Sequence, residues 1–326
     1  MEIHQGARKG KLSKCFTWIC KRKSLALRRC LSDVLSTSGL SISSSESWKS
    51  LLLPILLFCA ILLALVLYAQ VERLHSFVCG IFIPQYHYPY VVPLTFAQVL
   101  IISLALLALH GVCVISLRPY SLGLGERMLV PAVCGSAQAV LEHWARANAH
   151  SGLYPLFTRL LPVLCVVWSH IFTLTATPSL YLTCLLAGVT LGSITITVAV
   201  GVHFVEPLEW VYSPLSVLLH SFSLTWMAKV AEAERRHASV FDCYFSLVVT
   251  RCFVLGFLSL LHPDGPRALG EGNWHSLLFL GYLLAILLLG ALQHLLVDMT
   301  ALYFSPLAAA LLYAAHELAL PFYSLL

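Results

Sequence analysis

The chain has 326 residues, 59% hydrophobic and only 11% charged, with a formal net charge of +5 and a mean hydropathy of +0.84. That balance excludes an ordinary soluble domain of this size and reads as an integral membrane protein. A membrane span needs roughly 20 mostly apolar residues, so the chain has room for several short-looped spans and little material for a soluble catalytic domain.

The positive charge belongs to one end. Residues 1–50 hold ten Lys and Arg against Glu2, Asp33 and Glu46, which makes this segment +7 and the remainder −2. Residues 1–50 read as a basic, Ser-rich, disordered cytosolic tail that fixes orientation by the positive-inside rule and touches anionic membrane lipid. Nucleic acid is not the expected partner, because the cluster runs straight into an apolar segment without a folded module. No cleavable signal is expected, since the first apolar run begins near Leu51.

Residues 51–326 read as the transmembrane domain. Apolar runs bounded by charge, Pro or Gly fall near residues 51–71, 91–117, 128–147, 153–174, 179–200, 207–230, 239–261, 276–297 and 300–321, which predicts about nine transmembrane helices and an all-α polytopic fold. Glu142, His143 and Arg146 crowd the end of the third run and Glu209 opens the sixth; such residues are expected to face the bundle interior or the interface. With the N-terminus cytosolic, the cytosolic loops hold Arg118, Arg127, Lys229, Arg235 and Arg236 and the lumenal ends hold Arg73, Arg146 and Arg267. An odd number of spans then leaves the C-terminus lumenal. The longest connections, 72–90 and 262–275, read as ordered interfacial loops.

Of eleven cysteines, seven lie in apolar runs, Cys15, Cys20 and Cys30 in the tail, and Cys79 in a lumenal connection; this distribution predicts free thiols rather than a disulfide framework. Gly188 and Gly192 form a Gly-x-x-x-Gly in the fifth run, a face for close helix approach by internal packing or in a homodimer. A weak repeat aligns 153–162 with 312–321, matching Leu-Tyr at the start and Leu-Pro at the end. Two five-helix repeats around a midplane substrate site predict that spacing.

Arg159 is the sharpest single feature, about six residues into its apolar run. A charged guanidinium there costs at least ~2.5 kcal/mol unless it meets an anion or water. It reads as a cation for a phosphate or carboxylate, or as half of an ion pair with Glu142 or Glu317. Arg251, central in the seventh run, is a second anion contact, and His316 and Glu317 adjoin in the ninth. His110, His170, His220 and His294 read as structural histidines bonded to neighbouring helices. His-Glu-x-x-His, Gly-x-Ser-x-Gly, a Walker loop and paired membrane aspartates are missing, and the His and Cys residues have no metal-ligand spacing. No catalytic residue, metal or cofactor is therefore expected, and the chain is not read as an enzyme.

The run Gly152 to Leu164, the turn at Thr175 to Pro178, Gly188 and Gly192, Tyr88-Pro89, Pro93 to Gln98 and Ser305-Pro306-Leu307 together resemble nucleotide-sugar transporters of the drug/metabolite transporter superfamily. The resemblance covers most of residues 51–326. It implies ten helices in two inverted five-helix repeats, of which this chain would show nine, the second repeat being incomplete. It further implies exchange of a cytosolic nucleotide sugar, or another phosphorylated organic anion, for a lumenal nucleotide in Golgi or endoplasmic-reticulum membranes. Thr158 and His316 stand where the family often carries cations, which weakens the expected diphosphate contact.

On this reading the substrate site comprises Arg159, Arg251, Tyr154, Thr158, Tyr244, Tyr313, His316 and Glu317, with the tyrosines stacking on a base or bonding a sugar. Exchange is expected rather than proton-coupled uptake, because an always-charged Arg159 holds phosphate without changing protonation state. The alternative is a non-transporting scaffold or trafficking adaptor that keeps the transporter fold. An enclosed cavity containing Arg159 favours the carrier; a packed interior favours the scaffold.

Overall fold

The computed structural model describes residues 45–86, 90–148, 153–175, 177–201 and 207–323; residues 1–44 of the expected tail, with Cys15, Cys20 and Cys30, lie outside the described residues. Every regular element described is helical: α1 (Ser45–Tyr86), α2 (Val91–Gly111), α3 (Leu122–Asn148), α4 (Leu153–Thr158), α5 (Leu161–Ile171), α6 (Leu180–Val200), α7 (Glu209–Glu234), α8 (Val240–Leu261), α9 (Asp264–Glu271), α10 (Leu277–Tyr303) and α11 (Pro306–Tyr323). By its internal contacts the chain divides into residues 1–60 with 106–116, and residues 61–105 with 117–326. The second unit holds α3 to α11 and the greater part of α1 and α2.

Among the described residues, five segments are long and apolar enough to cross a membrane: Leu62–Phe82, Val91–Gly111, Leu180–Ala199, Val240–Leu261 and Leu277–Tyr303. The protein is an all-α polytopic membrane protein. Three of the expected runs differ in form. The first expected run, 51–71, lies within α1, which runs on through residues 72–86, a stretch that reads as a loop. Gly80 alone costs about 1 kcal/mol in a helix interior and does not end it, while Arg73 is exposed and His75 buried on the same turns. The 153–174 run is broken, because Pro162 has no N–H to donate and its ring would clash with the carbonyl four residues back. α4 therefore stops at Thr158, and Pro162 sits in the first turn of α5. The boundary expected near residue 300 falls at Pro306 instead: Ser305 Oγ accepts the Ala308 N–H at 3.1 Å and caps α11. Asp298, read as a connection, thereby belongs to α10. The expected 262–275 loop contains α9, whose Ala268 packs with Phe82, Tyr90, Phe279 and Ile286.

Polarity across the unit is inverted relative to a soluble domain. α7 buries Ser213, Ser216, His220, Ser221, Ser223 and Thr225 while exposing Trp210, Val211, Leu215 and Leu218. Apolar side chains such as Leu180, Phe253, Leu260 and Leu277 lie open on the outer surface, which suits contact with lipid tails and not with water. The small Ser face of α7 lets α3 pack along it, and α3 also packs on α8. Ser223 Oγ bridges α7 to α3 by donating to the Pro131 carbonyl at 2.8 Å. The start of α8 is fixed by a capping box: Ser239 Oγ accepts from Asp242 N at 3.1 Å and Asp242 Oδ2 accepts from Ser239 N at 3.0 Å.

Cys59, Cys79, Cys134, Cys165, Cys184, Cys243 and Cys252 are free thiols. Cys113 is the correction: it is disulfide-bonded. α2 ends at Gly111, so Cys113 lies in the turn beyond the helix rather than within an apolar run.

Candidate functional site

Charged, histidine and amide side chains that the sequence scatters from His75 to Asp298 converge on one interior cavity. Its volume is about 30 Å³, room for a water molecule or two. Arg251 from α8 and Asp298 from α10 form its floor: Arg251 Nη1 donates to Asp298 Oδ2 at 2.5 Å and Nη2 to Oδ1 at 3.4 Å. Both residues are buried, at 8% and 4% exposure. This is a two-pronged ion pair inside an apolar bundle, where the pair must hold because either charge alone is expensive. The guanidinium fits because residue 135 of α3 is Gly. A Cβ there would meet Arg251 Nη2 at 2.6 Å and Ser223 Oγ at 3.0 Å, so any larger side chain pushes the Arg out of place.

Across the cavity, α3 presents Gln138 and Glu142 one turn apart, with Gln138 Nε2 donating to Glu142 Oε2 at 2.6 Å. His143 is next. Its Nδ1 bonds the Ala139 carbonyl at 2.8 Å and, facing an acceptor, must carry the hydrogen. Its Nε2 lies 3.4 Å from Gln98 Nε2. Gln98 is held from the other side by the Ile286 carbonyl at 3.4 Å. The imidazoles of His75 and His294 flank His143, with ring centroids 6.1 and 6.5 Å away. Ser136 Oγ and Gln293 Nε2, which also line the cavity, make no hydrogen bond among the described residues; buried polar groups in that condition call for a polar guest.

Aromatic residues close one side. Tyr313 lies edge-on to His220 at 4.6 Å between centroids and tilted to Tyr68 at 6.4 Å. Its hydroxyl shares a 2.8 Å hydrogen bond with that of Tyr154. Glu209, buried as expected for the start of the sixth run, accepts the Leu153 N–H at 3.4 Å and so ties α7 to the start of α4.

Of the eight residues expected in the site, Arg251 and Tyr313 line the cavity and Tyr154 touches Tyr313. The cavity does not contain Arg159. Its guanidinium, 4% exposed, donates to the Ser193 carbonyl at 3.2 Å and to Thr197 Oγ1 on α6, and Nη2 lies 4.0 Å from Glu317 Oε2 on α11. Of the two acids considered as partners, Glu317 is the one paired. His316, 42% exposed in its side chain, adjoins that carboxylate at 3.5 Å. Thr158 donates its hydroxyl to the Tyr154 carbonyl at 2.9 Å and stabilises the end of α4. Tyr244 is fully buried in α8 and does not line the cavity. His220 and His294, read as structural, line it, whereas His110 and His170 are exposed.

Glu142, His143, His294 and Asp298 also line the cavity and are not among the expected site residues; Glu142 and His143 are expected to face the interior or the interface, and His294 to be structural. The available signal was spacing: Gln138 with Glu142, and His294 with Asp298, stand four apart and so share a helix face.

A second, more open cleft of about 460 Å³ lies beside the start of α8. Both of its arginines are engaged, Arg118 by Asp242 and the His237 carbonyl and Arg127 by Glu234, so its charges balance internally. Among the described residues, no group of three or more His, Cys, Asp and Glu is placed to hold a metal ion. No known family model matches this chain, and no curated protein matches it significantly.

Proposed function

We propose that this protein is a multi-pass membrane carrier for a phosphorylated organic anion of the nucleotide-sugar class, with Arg251 rather than Arg159 as the anion contact. The observation that carries the reading is the buried Arg251–Asp298 pair beside a small interior cavity that polar side chains help to line, within a bundle of apolar exterior. A guanidinium presents one planar fork to a carboxylate or a phosphate. An entering phosphate therefore takes the place of Asp298, and binding becomes coupled to the separation of α8 from α10. A cavity of about 30 Å³ without Arg159 is far smaller than the several hundred Å³ of an ordinary ligand pocket; the carrier reading takes this conformation as a closed one, and a permanently packed interior would belong to the scaffold.

The proposed architecture is nine spans in two related halves. Tyr154 and Tyr313, equivalent in the weak repeat, are hydrogen-bonded to one another at 2.8 Å, the contact that a two-fold relation makes between equivalent positions. The broken α4–α5 helix, with polar side chains at its break, matches the discontinuous helices of carriers. A Golgi or endoplasmic-reticulum location with a cytosolic N-terminus and a lumenal C-terminus completes the proposal. Tags at the two ends should be oppositely protected in selectively permeabilised cells, and equal reactivity from the cytosol would mean an even number of crossings.

The functional test uses purified full-length protein with a nucleoside monophosphate and a panel of nucleotide sugars. Wild type should be thermally stabilised by at least one of them. Arg251→Lys keeps the charge that Asp298 needs but loses the fork, and it should weaken that response by about tenfold to a hundredfold, the equivalent of one charge-assisted hydrogen bond. A folded wild type that responds to none of the nucleotides supports the scaffold instead.

A further inference from the structure

The interior face of α7 carries more polarity than its packing requires. Glu209, Ser213, Ser216 and His220 follow one another at spacings of four, three and four residues, which sets them on one face of the helix. All four are buried, Ser213 and Ser216 completely and Glu209 to 1% exposure. His220 lines the cavity and Glu209 stands about 16 Å from it along the helix axis, so the stripe runs from the start of α7 to the space beside Arg251. α3 packs along α7 in the opposite direction: Ser223, one turn beyond His220, bonds the Pro131 carbonyl, and Tyr212 packs with Ala145 near the other end. Ser221, Ser223 and Thr225 each donate to a carbonyl, those of Leu218, Pro131 and Ser221. The hydroxyls of Ser213 and Ser216 make no hydrogen bond among the described residues, nor does Glu209 Oε1; only Oε2 is engaged, by the Leu153 N–H at 3.4 Å. Close helix approach needs small side chains, and Ala would supply them without burying an unbonded hydroxyl. Pro214, between the two serines, leaves the Trp210 carbonyl without its helical donor and makes this the point where α7 bends most easily.

We propose that the seam between α3 and α7 is the track along which a hydrophilic ligand reaches the cavity, with Glu209, Ser213 and Ser216 binding hydroxyl groups on the uncharged part of that ligand. The ligand rests on the carrier reading; the track rests on the buried polar stripe. The chemistry divides along α7. At the cavity end a guanidinium suits a phosphate. At the other end a carboxylate repels phosphate but accepts hydrogen bonds from hydroxyls, and serine hydroxyls both donate and accept. A polyhydroxylated group satisfies all three side chains, and an aliphatic group satisfies none. Here the seam is shut. Opening it by a bend at Pro214 brings the unbonded hydroxyls and Glu209 Oε1 to water or ligand, a gain that offsets part of the lost α3–α7 packing.

Two measurements on the full-length protein decide it. In phosphatidylcholine vesicles, a membrane-impermeant maleimide, followed peptide by peptide in mass spectrometry to set aside the native thiols, should label Ser213→Cys and Ser216→Cys at least about tenfold faster than Leu215→Cys and Leu218→Cys, whose positions lie on the exposed apolar surface. Negligible labelling at all four positions overturns the track. The second measurement is selectivity. Glu209→Gln keeps an acceptor for the Leu153 N–H while losing the charge, and combined with Ser216→Ala it should lower the preference for a nucleotide sugar over its nucleoside monophosphate, read from the concentrations that give half-maximal thermal stabilisation, by about tenfold. An equal loss for both ligands makes these side chains structural and overturns the hydroxyl subsite. Labelled serine positions without any nucleotide response remove the carrier reading and leave the track; a nucleotide response with an unlabelled seam removes the track and leaves the carrier.

Discussion

Asp298→Leu alone should be among the most damaging single substitutions in this chain, lowering stability by about 3 to 5 kcal/mol, because it leaves the Arg251 guanidinium buried without its carboxylate. Arg251 is 8% exposed and bonded through both Nη atoms to Asp298, so no movement short of separating α8 from α10 brings it to water. The partner substitution Arg251→Met should be similarly costly. Combining Arg251→Met with Asp298→Leu should recover most of the loss, since an apolar pair of similar volume removes both desolvation costs together. The measurement is the midpoint of thermal aggregation in detergent for the four combinations. Additive losses in the double variant would show that the two side chains do not form a buried pair. The double variant also separates fold from function: it should be stable and should no longer respond to nucleotides.

Arg159→Gln should destabilise the protein by about 2 to 3 kcal/mol while leaving any nucleotide response of the surviving molecules intact, the sum of a lost charge-assisted hydrogen bond and a poorly compensated acid. Arg159 reaches from the break between α4 and α5 to the Ser193 carbonyl and Thr197 on α6 and to Glu317 on α11. It thus fastens three elements where the chain has no continuous helix to do so. The cost is set below that of the Arg251 pair because the Glu317 side chain is 21% exposed and keeps some hydration after losing its partner. Adding Glu317→Gln should restore part of the stability. A normally stable Arg159→Gln protein that no longer binds nucleotide would return Arg159 to the substrate site.

The two arginines show how far local sequence carries an argument about a membrane site. Each is a permanent charge in an apolar run, and the cost of burial alone says that each has a partner. It does not say which. Arg159 pairs with Glu317, 158 positions away in the chain, and Arg251 pairs with Asp298, 47 positions away. One is a fastening and the other faces a cavity, a difference that depends on what stands on the far side of the guanidinium.

The amino-acid sequence by itself determined the class of this protein: long apolar runs with few charges must form helices in a membrane, because every backbone polar group has to be satisfied within the segment. It also set the local stops. Pro162 ends α4, Ser305 and Pro306 open α11, and Ser239 with Asp242 fixes the start of α8. The interior was decided by tertiary structure alone. Periodicity places Gln138 with Glu142 and His294 with Asp298 on common faces, but the rotation of each helix about its axis decides which faces meet. That rotation is set by side chains packing between elements far apart in the chain, such as the Gly135 surface that admits Arg251 and the serine face of α7 along α3. The cavity exists only once those rotations are fixed, which is why Glu142, expected in the interior, and Asp298, read as a connection, come to line the same space.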